Sequence, residues 1–556
     1  MRFFRLSYGL FFLVLSMQIT PVRLSAQTNE RPLLLTGVVT FTGDVALPGT
    51  ELRAAMRIRQ GEAFSETELK RDIDRLLALY DRSGYPFAAV RVADIRIRYD
   101  ATTAADVFPP DVVFPPDAAS SDTASPDVAS RADAASPDAA SPADAAVPDT
   151  AYADIELGIE SGGMFRIEEF TVEGNELTHT DVIVRETRID RGEVYDAEKV
   201  GDVRRRLARL DFFSRVDGPQ LYVRDGRGGL LLRVAEGSTN LFDGVVGYQP
   251  PAGDEQEGYF TGLVNLGFRN LFGTGRRLDA RWERATREVS ELELHYLEPW
   301  LFGYPINIAG GFFQRQQDSA YVRRAIDGEI RFLATSDLQF AATVQSTQVI
   351  PSQNSAIPGL ARSSTLAGGV ELRIDTRDDI WNPRSGIILR NSYSGGDKRF
   401  TNAAGEEVTD FLQRIELDAG YFRELFLRTV LAVRLHGREL HGDELDVSDL
   451  YRVGGANTLR GYREEQFAGT RFGWVNSELR YSLGRRTFAF IFYDFGYIYQ
   501  SPDTDRNREE FSAFRGGYGI GGRIETALGI MGVSYALGQG DGFGDGKIHF
   551  GLINAF

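Results

Sequence analysis

The chain has 556 residues, a net charge of −17 and no cysteine. The acidic balance excludes nucleic-acid binding, which needs a basic face, and the missing thiols exclude disulfide frameworks, cysteine zinc sites and thiol nucleophiles. The 59 glycines and 11% aromatic residues suit strands joined by tight turns.

Residues 1–26 read as an export signal. Arg2 and Arg5 precede an apolar run from Tyr8 to Met17, and Leu24-Ser25-Ala26 offers a cleavage site after Ala26. The run is short for a spanning helix of about 20 apolar residues, and no later stretch approaches one. Residues 101–150 change character: nine aspartates face one arginine among Ala, Ser and Pro. Such a segment repels itself and has little to bury, so it is expected to be disordered.

On either side of that segment lies an internal repeat with an offset of 131 residues. Val39, Phe41 and Gly43 fall on Phe170, Val172 and Gly174; Leu52 on Ile183; Gly61-Glu62 on Gly192-Glu193; Leu76 on Leu207. Each unit predicts a strand, a short helix, a glycine turn, a longer helix and two strands. Ser65 and Glu68 have capping-box spacing at the start of a helix with Leu69, Ile73, Leu76, Leu77 and Tyr80 on one face. In the first unit AAVRVADIRIRYD supplies one strand and AYADIELGIE the next, making the acidic segment an oversized hairpin loop. With FRIEEFTVEGN, RIDRGEVYDAEKV and RRLARLDFFSRV as landmarks, this β-α-α-β-β unit resembles the polypeptide-transport-associated (POTRA) domain. The units span 31–162, including the insert, and 163–236.

From Thr239 the period changes to two. Leu278, Ala280 and Trp282 oppose Asp279, Arg281 and Glu283; Val370, Leu372 and Ile374 share one face, as do Ile415, Leu417, Ala419 and Tyr421. Apolar faces recur to the end with no helix to cover them, while the other faces are densely charged. A closed transmembrane antiparallel β-barrel with a polar lumen accounts for both, and residues 239–556 hold roughly 16 strands. The chain closes in KIHFGLINAF. Its terminal aromatic Phe556, with Phe550 of like parity, is similar to the signal by which outer-membrane barrels are recognised for insertion, although Asn554 stands where a bulkier residue is commoner.

Six stretches in order resemble the BamA/TamA superfamily: RNLFGTGRRL, YLEPWLFG, DTRDDIWNPRSG, YRVGGANTLRGY, FYDFGYIY and GYGIGGRIETALG. The resemblance implies that Arg460-Gly461-Tyr462 lies on the sixth extracellular loop and folds back into the lumen. A guanidinium there needs a carboxylate. Glu478, on the polar face of VNSELRYSL, is the expected partner, with Asp494 beside it. The facing of Asp494 cannot be read by alternation, because Phe490 and Phe492 share its parity. Gly461 is expected to permit a sharp turn or a close approach, and Tyr462 to pack on the inner wall.

The sequence lacks G-x-S-x-G, H-E-x-x-H, a phosphate-binding loop and a dinucleotide fingerprint. DGFGDG at Asp541–Gly546 reads as a hairpin turn rather than a calcium loop. No catalysis, metal or cofactor is expected. The resemblance implies an outer-membrane assembly or insertion factor. Its clients would be unfolded outer-membrane or surface proteins, its surroundings lipid and periplasmic accessory proteins, and its POTRA domains periplasmic. The alternative is a two-partner-type secretion pore. Such pores place a plug helix before the first POTRA domain, and Gln27 to Leu33 leaves no room for one.

Overall fold

The computed structural model describes residues 33–99, 150–249, 259–284, 289–317, 320–352, 360–402, 405–503, 508–526 and 529–553. The expected export signal, the acidic insert and Phe556 lie outside the described residues. The chain divides into two units, Met1–Gly163 and Met164–Phe556.

In the first unit β1 (Leu33–Asp44), α1 (Gly49–Ala55), α2 (Glu66–Arg82), β2 (Ala89–Tyr99) and β3 (Thr150–Glu160) form one α/β domain. The sheet order is β1-β3-β2, with β3 parallel to β1 and antiparallel to β2. The Ser65 side chain accepts from the Glu68 N–H and starts α2. Its apolar stripe then buries Leu69, Leu76 and Tyr80 against Val39, Leu52, Ile155, Leu157 and Ile159. The β2–β3 ladder runs out to Tyr99↔Ala151, so the intervening segment joins adjacent strands.

The second unit begins with the repeat of that domain. It comprises β4 (Arg166–Ile167), β5 (Glu169–Glu173), α3 (Thr180–Thr187), β6 (Glu193–Val194), α4 (Ala197–Arg209), β7 (Phe213–Val216), β8 (Gln220–Arg224) and β9 (Arg227–Glu236). The offset of 131 residues maps core onto core. Leu52 and Ile183 are both fully buried, as are Leu76 and Leu207. Gly43 and Gly174 both take positive φ, at 93° and 85°, where an added Cβ would meet the carbonyl of Ile159 or Val234. The two domains differ in one sheet strand and in the short β4–β6 pair, which the first domain has only as the single bridge Leu35↔Ala63. β7 and β8 both pair with β9, so the second domain divides what is one strand in the first. The break falls at Asp217-Gly218-Pro219, where proline has no N–H for a ladder.

The remainder is a sixteen-stranded antiparallel sheet in chain order. Its first strands are β10 (Asn240–Gln249), β11 (Tyr259–Leu271), β12 (Arg276–Arg284), β13 (Val289–Glu298), β14 (Ile306–Gln317) and β15 (Tyr321–Leu333). Next come β16 (Leu338–Pro351), β17 (Ser363–Asp375), β18 (Ser385–Thr401), β19 (Glu407–Phe426) and β20 (Thr429–His441). The short pair β21 (Tyr451–Val453) and β22 (Phe467–Gly469) stands apart from the wall, and β23 (Arg471–Ser482), β24 (Phe488–Gln500), β25 (Phe511–Thr526), β26 (Gly529–Gly538) and β27 (Lys547–Ile553) complete the sheet.

Alternation decides the facing of every strand. Ile330, Val370, Tyr421, Leu435, Ile491 and Ile520 are exposed outward, whereas Glu371, Lys398, Glu478 and Asp494 are buried inward. An apolar exterior over a charged interior is the inverse of a soluble sandwich and is stable only with lipid outside. β10 and β27 stand at the two ends of the sheet order. Among the described residues no ladder joins β10 to β27.

Candidate functional site

Between β20 and β23 the chain leaves the wall, forms the β21–β22 hairpin and returns. Thr458 and Leu459 steer this loop inward. The Thr458 hydroxyl accepts from the Gly454 N–H, and its carbonyl accepts from the Asn476 side chain at 2.7 Å. Leu459 is fully buried with Val453, Tyr462, Phe472, Trp474 and Ile498. These contacts deliver Arg460 into the lumen with 5% exposure.

Arg460 meets both expected carboxylates. Its Nε and Nη2 donate to Asp494 at 2.8 and 2.7 Å, its backbone N–H to the same carboxylate at 3.1 Å, and Nη1 to Glu478 at 2.8 Å. The guanidinium lies 3.7 Å over the centre of the Phe492 ring. Cation–π contact and ion pairing thus act on one group, and the rings exclude the water that would screen it. Phe490, Phe492 and Asp494 all face inward, which resolves the facing of β24.

Glu478 has two further partners that parity reading passed over. Arg434 donates to it at 2.8 Å from β20, and Arg480 at 2.8 Å from its own strand. Arg480 lies two residues from Glu478, on the same face, so its facing was visible in VNSELRYSL. Arg434 comes from a separate strand, and only the register Ala432↔Glu478 brings it near.

Gly461 takes φ 94°, and a Cβ there would lie 2.7 Å from the Leu537–Gly538 backbone. On the facing strand a Cβ at Gly517 would strike the Arg460 carbonyl. The loop tip therefore rests backbone against backbone on β25 and β26. The Tyr462 hydroxyl donates to the Gly516 carbonyl at 2.9 Å and accepts from the Gln539 N–H at 3.2 Å. Phe550, on the last strand, is exposed on the outer face and takes no part in this cluster.

The root of the same loop has a second anchor that the sequence did not disclose. Lys398 on β18 is 1% exposed and donates to Asp446 at 2.9 Å, Asp449 at 2.5 Å and the Glu444 carbonyl at 3.0 Å. A third contact, Arg315 with Glu465, is bidentate at 2.8 and 2.7 Å.

At the opposite end, the short turns of the barrel receive the second α/β domain. The Gly273 carbonyl accepts from the His179 N–H, and the Thr274 carbonyl from Arg185. Arg209, at the end of α4, donates to the carbonyls of Ser336 and Asp375, both at 2.6 Å. Asp211 takes Arg269 and the Trp381 indole N–H. Glu186 accepts from the Trp300 indole at 2.6 Å, and burial pushes its carboxyl above the usual range despite Arg185, Arg188 and Arg206 nearby.

A sixteen-stranded sheet with an apolar exterior, an arginine-tipped loop seated inside it and a repeated α/β domain define a transmembrane β-barrel with POTRA-like domains. Residues 270–556 match the Omp85 superfamily domain, and residues 36–110 and 165–237 match the surface antigen variable number repeat, the POTRA domain. The chain belongs to the Omp85 superfamily, within the BamA/TamA group.

Two curated relatives carry the name outer membrane protein assembly factor BamA. The Neorickettsia risticii protein is 24% identical over 442 residues, covering 72% of this chain and 57% of its own length. The Nitratidesulfovibrio vulgaris protein is 23% identical over 419 residues, covering 69% and 50%. The chain thus spans little more than half the length of these relatives. Among solved structures, CdiB from Escherichia coli is similar with a TM-score of 0.50 at 12% identity, covering 96% of this chain and 92% of that one. That likeness concerns the fold alone.

Proposed function

We propose that this protein assembles or inserts outer-membrane β-barrel or surface proteins through a lateral seam, with its POTRA domains on the periplasmic side. The observation that carries the reading is that β10 and β27 end the sheet, with no ladder between them among the described residues, in a chain that matches the Omp85 and POTRA families. An unpaired strand edge presents N–H and C=O groups at the polar spacing a client strand needs, so a client can extend the sheet by β-augmentation. The first domain supports the same mode. Its edge strand β2 exposes Ile95, Ile97 and Tyr99 on one face.

Depletion from the native cell tests this reading. Mass spectrometry of the outer membrane and the culture medium should show a set of barrel proteins falling together. An unchanged membrane with one secreted protein missing would overturn the proposal in favour of a two-partner secretion pore. A cysteine pair, one in β10 and one in β27, gives a direct check against no native thiol background. Oxidation that leaves assembly activity intact would eliminate the seam.

A further inference from the structure

Below the loop tip the lumen holds a cavity of about 550 Å³ between the charged cluster and the β17–β18 turn. Its wall is cationic in a chain of net charge −17. Arg331, Arg373, Arg390, Arg434, Arg480 and Arg523 enter it from six strands, and Arg377 from the turn. The lining carboxylates are Glu371 and Asp418. Glu329, Asp375 and Glu478 pair with these arginines at the margin. Seven guanidiniums thus face five carboxylates, an excess of two positive charges.

The excess is not spread evenly. Glu478 serves Arg434, Arg460 and Arg480 at once. Arg523 has no carboxylate within ion-pair distance among the described residues; its guanidinium lies 5.5 Å from the centre of the Phe488 ring. Arg373 reaches Asp375 only at 3.5 Å. The Nε–H groups of Arg373 and Arg434 are both buried without a protein acceptor. Unsatisfied buried donors and uncompensated guanidiniums are each costly, and together they define a place where an anion is stabilised. Guanidinium forks match the oxygens of phosphate and carboxylate, and a doubly charged oxyanion cancels the excess.

We infer that this cavity is a binding site for a multivalent oxyanion of the phosphate class, held by Arg373, Arg434 and Arg523. The six strand arginines stand on the inner face of the wall and the remaining lining comes in part from the β17–β18 turn, so a lipid phosphate could reach the site only from the turn side, whereas a soluble oxyanion enters directly. The inference is independent of the proposed assembly role.

The test is calorimetric titration of the purified full chain in detergent micelles with inorganic pyrophosphate at about 0.15 M salt, where nonspecific attraction is screened. Saturable binding at one site is expected. Arg523→Gln and Arg373→Gln should each weaken it by about tenfold, the loss of one charged hydrogen bond, with heat-modifiable gel mobility unchanged. If Arg523→Gln does not fold, Arg373→Gln reads the site alone, because it contacts neither Arg460 nor its partners. Nanodiscs with and without phosphatidylglycerol identify the source: competition with pyrophosphate assigns the site to lipid headgroups, and its absence to a soluble oxyanion. No saturable binding by the unaltered protein, or equal binding by folded variants, would overturn the inference.

Discussion

The inward loop is held by a charged cluster buried in the lumen, whereas the second α/β domain reaches the barrel through a mixture of more exposed ion pairs and backbone carbonyls. Arg460, Glu478 and Asp494 are 5%, 1% and 0% exposed. Removing one member leaves a buried charge unpaired, so the seat is lost as a unit. In the domain dock, Arg209 donates to carbonyls of Ser336 and Asp375, which exist whatever side chains stand there. Those contacts are partial and additive, and they tolerate sequence change in the turns. A loop that must be either seated or released suits the first design, and a domain that must hold its place suits the second.

Four experiments would sharpen or break this contrast. Arg460→Ala should have the largest effect, about 3–5 kcal/mol against the seated loop, because Asp494 loses its only ion-pair partner among the described residues. Limited proteolysis within residues 442–470 reads it, and unchanged cleavage would refute the seat. Lys398→Met comes next, at about 3 kcal/mol; Asp446 and Asp449 can then share a proton, which softens the loss. It should loosen the loop root with the tip still seated, and equal release of both would show that the anchors form one unit.

The third experiment concerns Glu186. Its carboxyl is raised in the folded state, so folding favours the protonated form. The docked domain therefore gains stability below the ordinary carboxylate range and loses it as pH rises through the raised value. Glu186→Gln keeps an acceptor for the Trp300 indole and should flatten that slope in denaturant titrations. A slope unchanged in the variant would assign the pH dependence elsewhere. The smallest effect belongs to Arg209→Lys, about 0.5–1 kcal/mol, since a lysine keeps the charge beside Asp337 but reaches fewer of the carbonyls. A loss as large as that of Arg460→Ala would break the comparison.

How much of this was legible depended on how local the signal was. The facing of Glu478 followed from alternation along one strand, and the strand count followed from length divided by strand-plus-turn spacing. Asp494 was named, but its facing was hidden because β24 carries aromatic residues on both faces: Phe490 and Phe492 inward, Tyr493 and Phe495 outward. Lys398 sits in SGGDKRFT, where glycines interrupt the alternation, and its aspartates lie about 50 positions away. The cationic cavity takes single arginines from six strands and has no linear signature. The two halves of the split strand in the second domain were read as a single strand, although Pro219 marks the break.

The β2–β3 hairpin of the first domain has one more consequence. Its strands stay paired, past a bulge between Val92 and Asp94, to Tyr99↔Ala151, and about fifty residues of chain connect positions that are already neighbours. Closing such a connection costs free energy only as the logarithm of its length, about 0.6 kcal/mol per doubling. The domain is therefore nearly indifferent to how long that connection is. The same arithmetic predicts that an epitope or fluorophore inserted there would report on the domain without perturbing its fold.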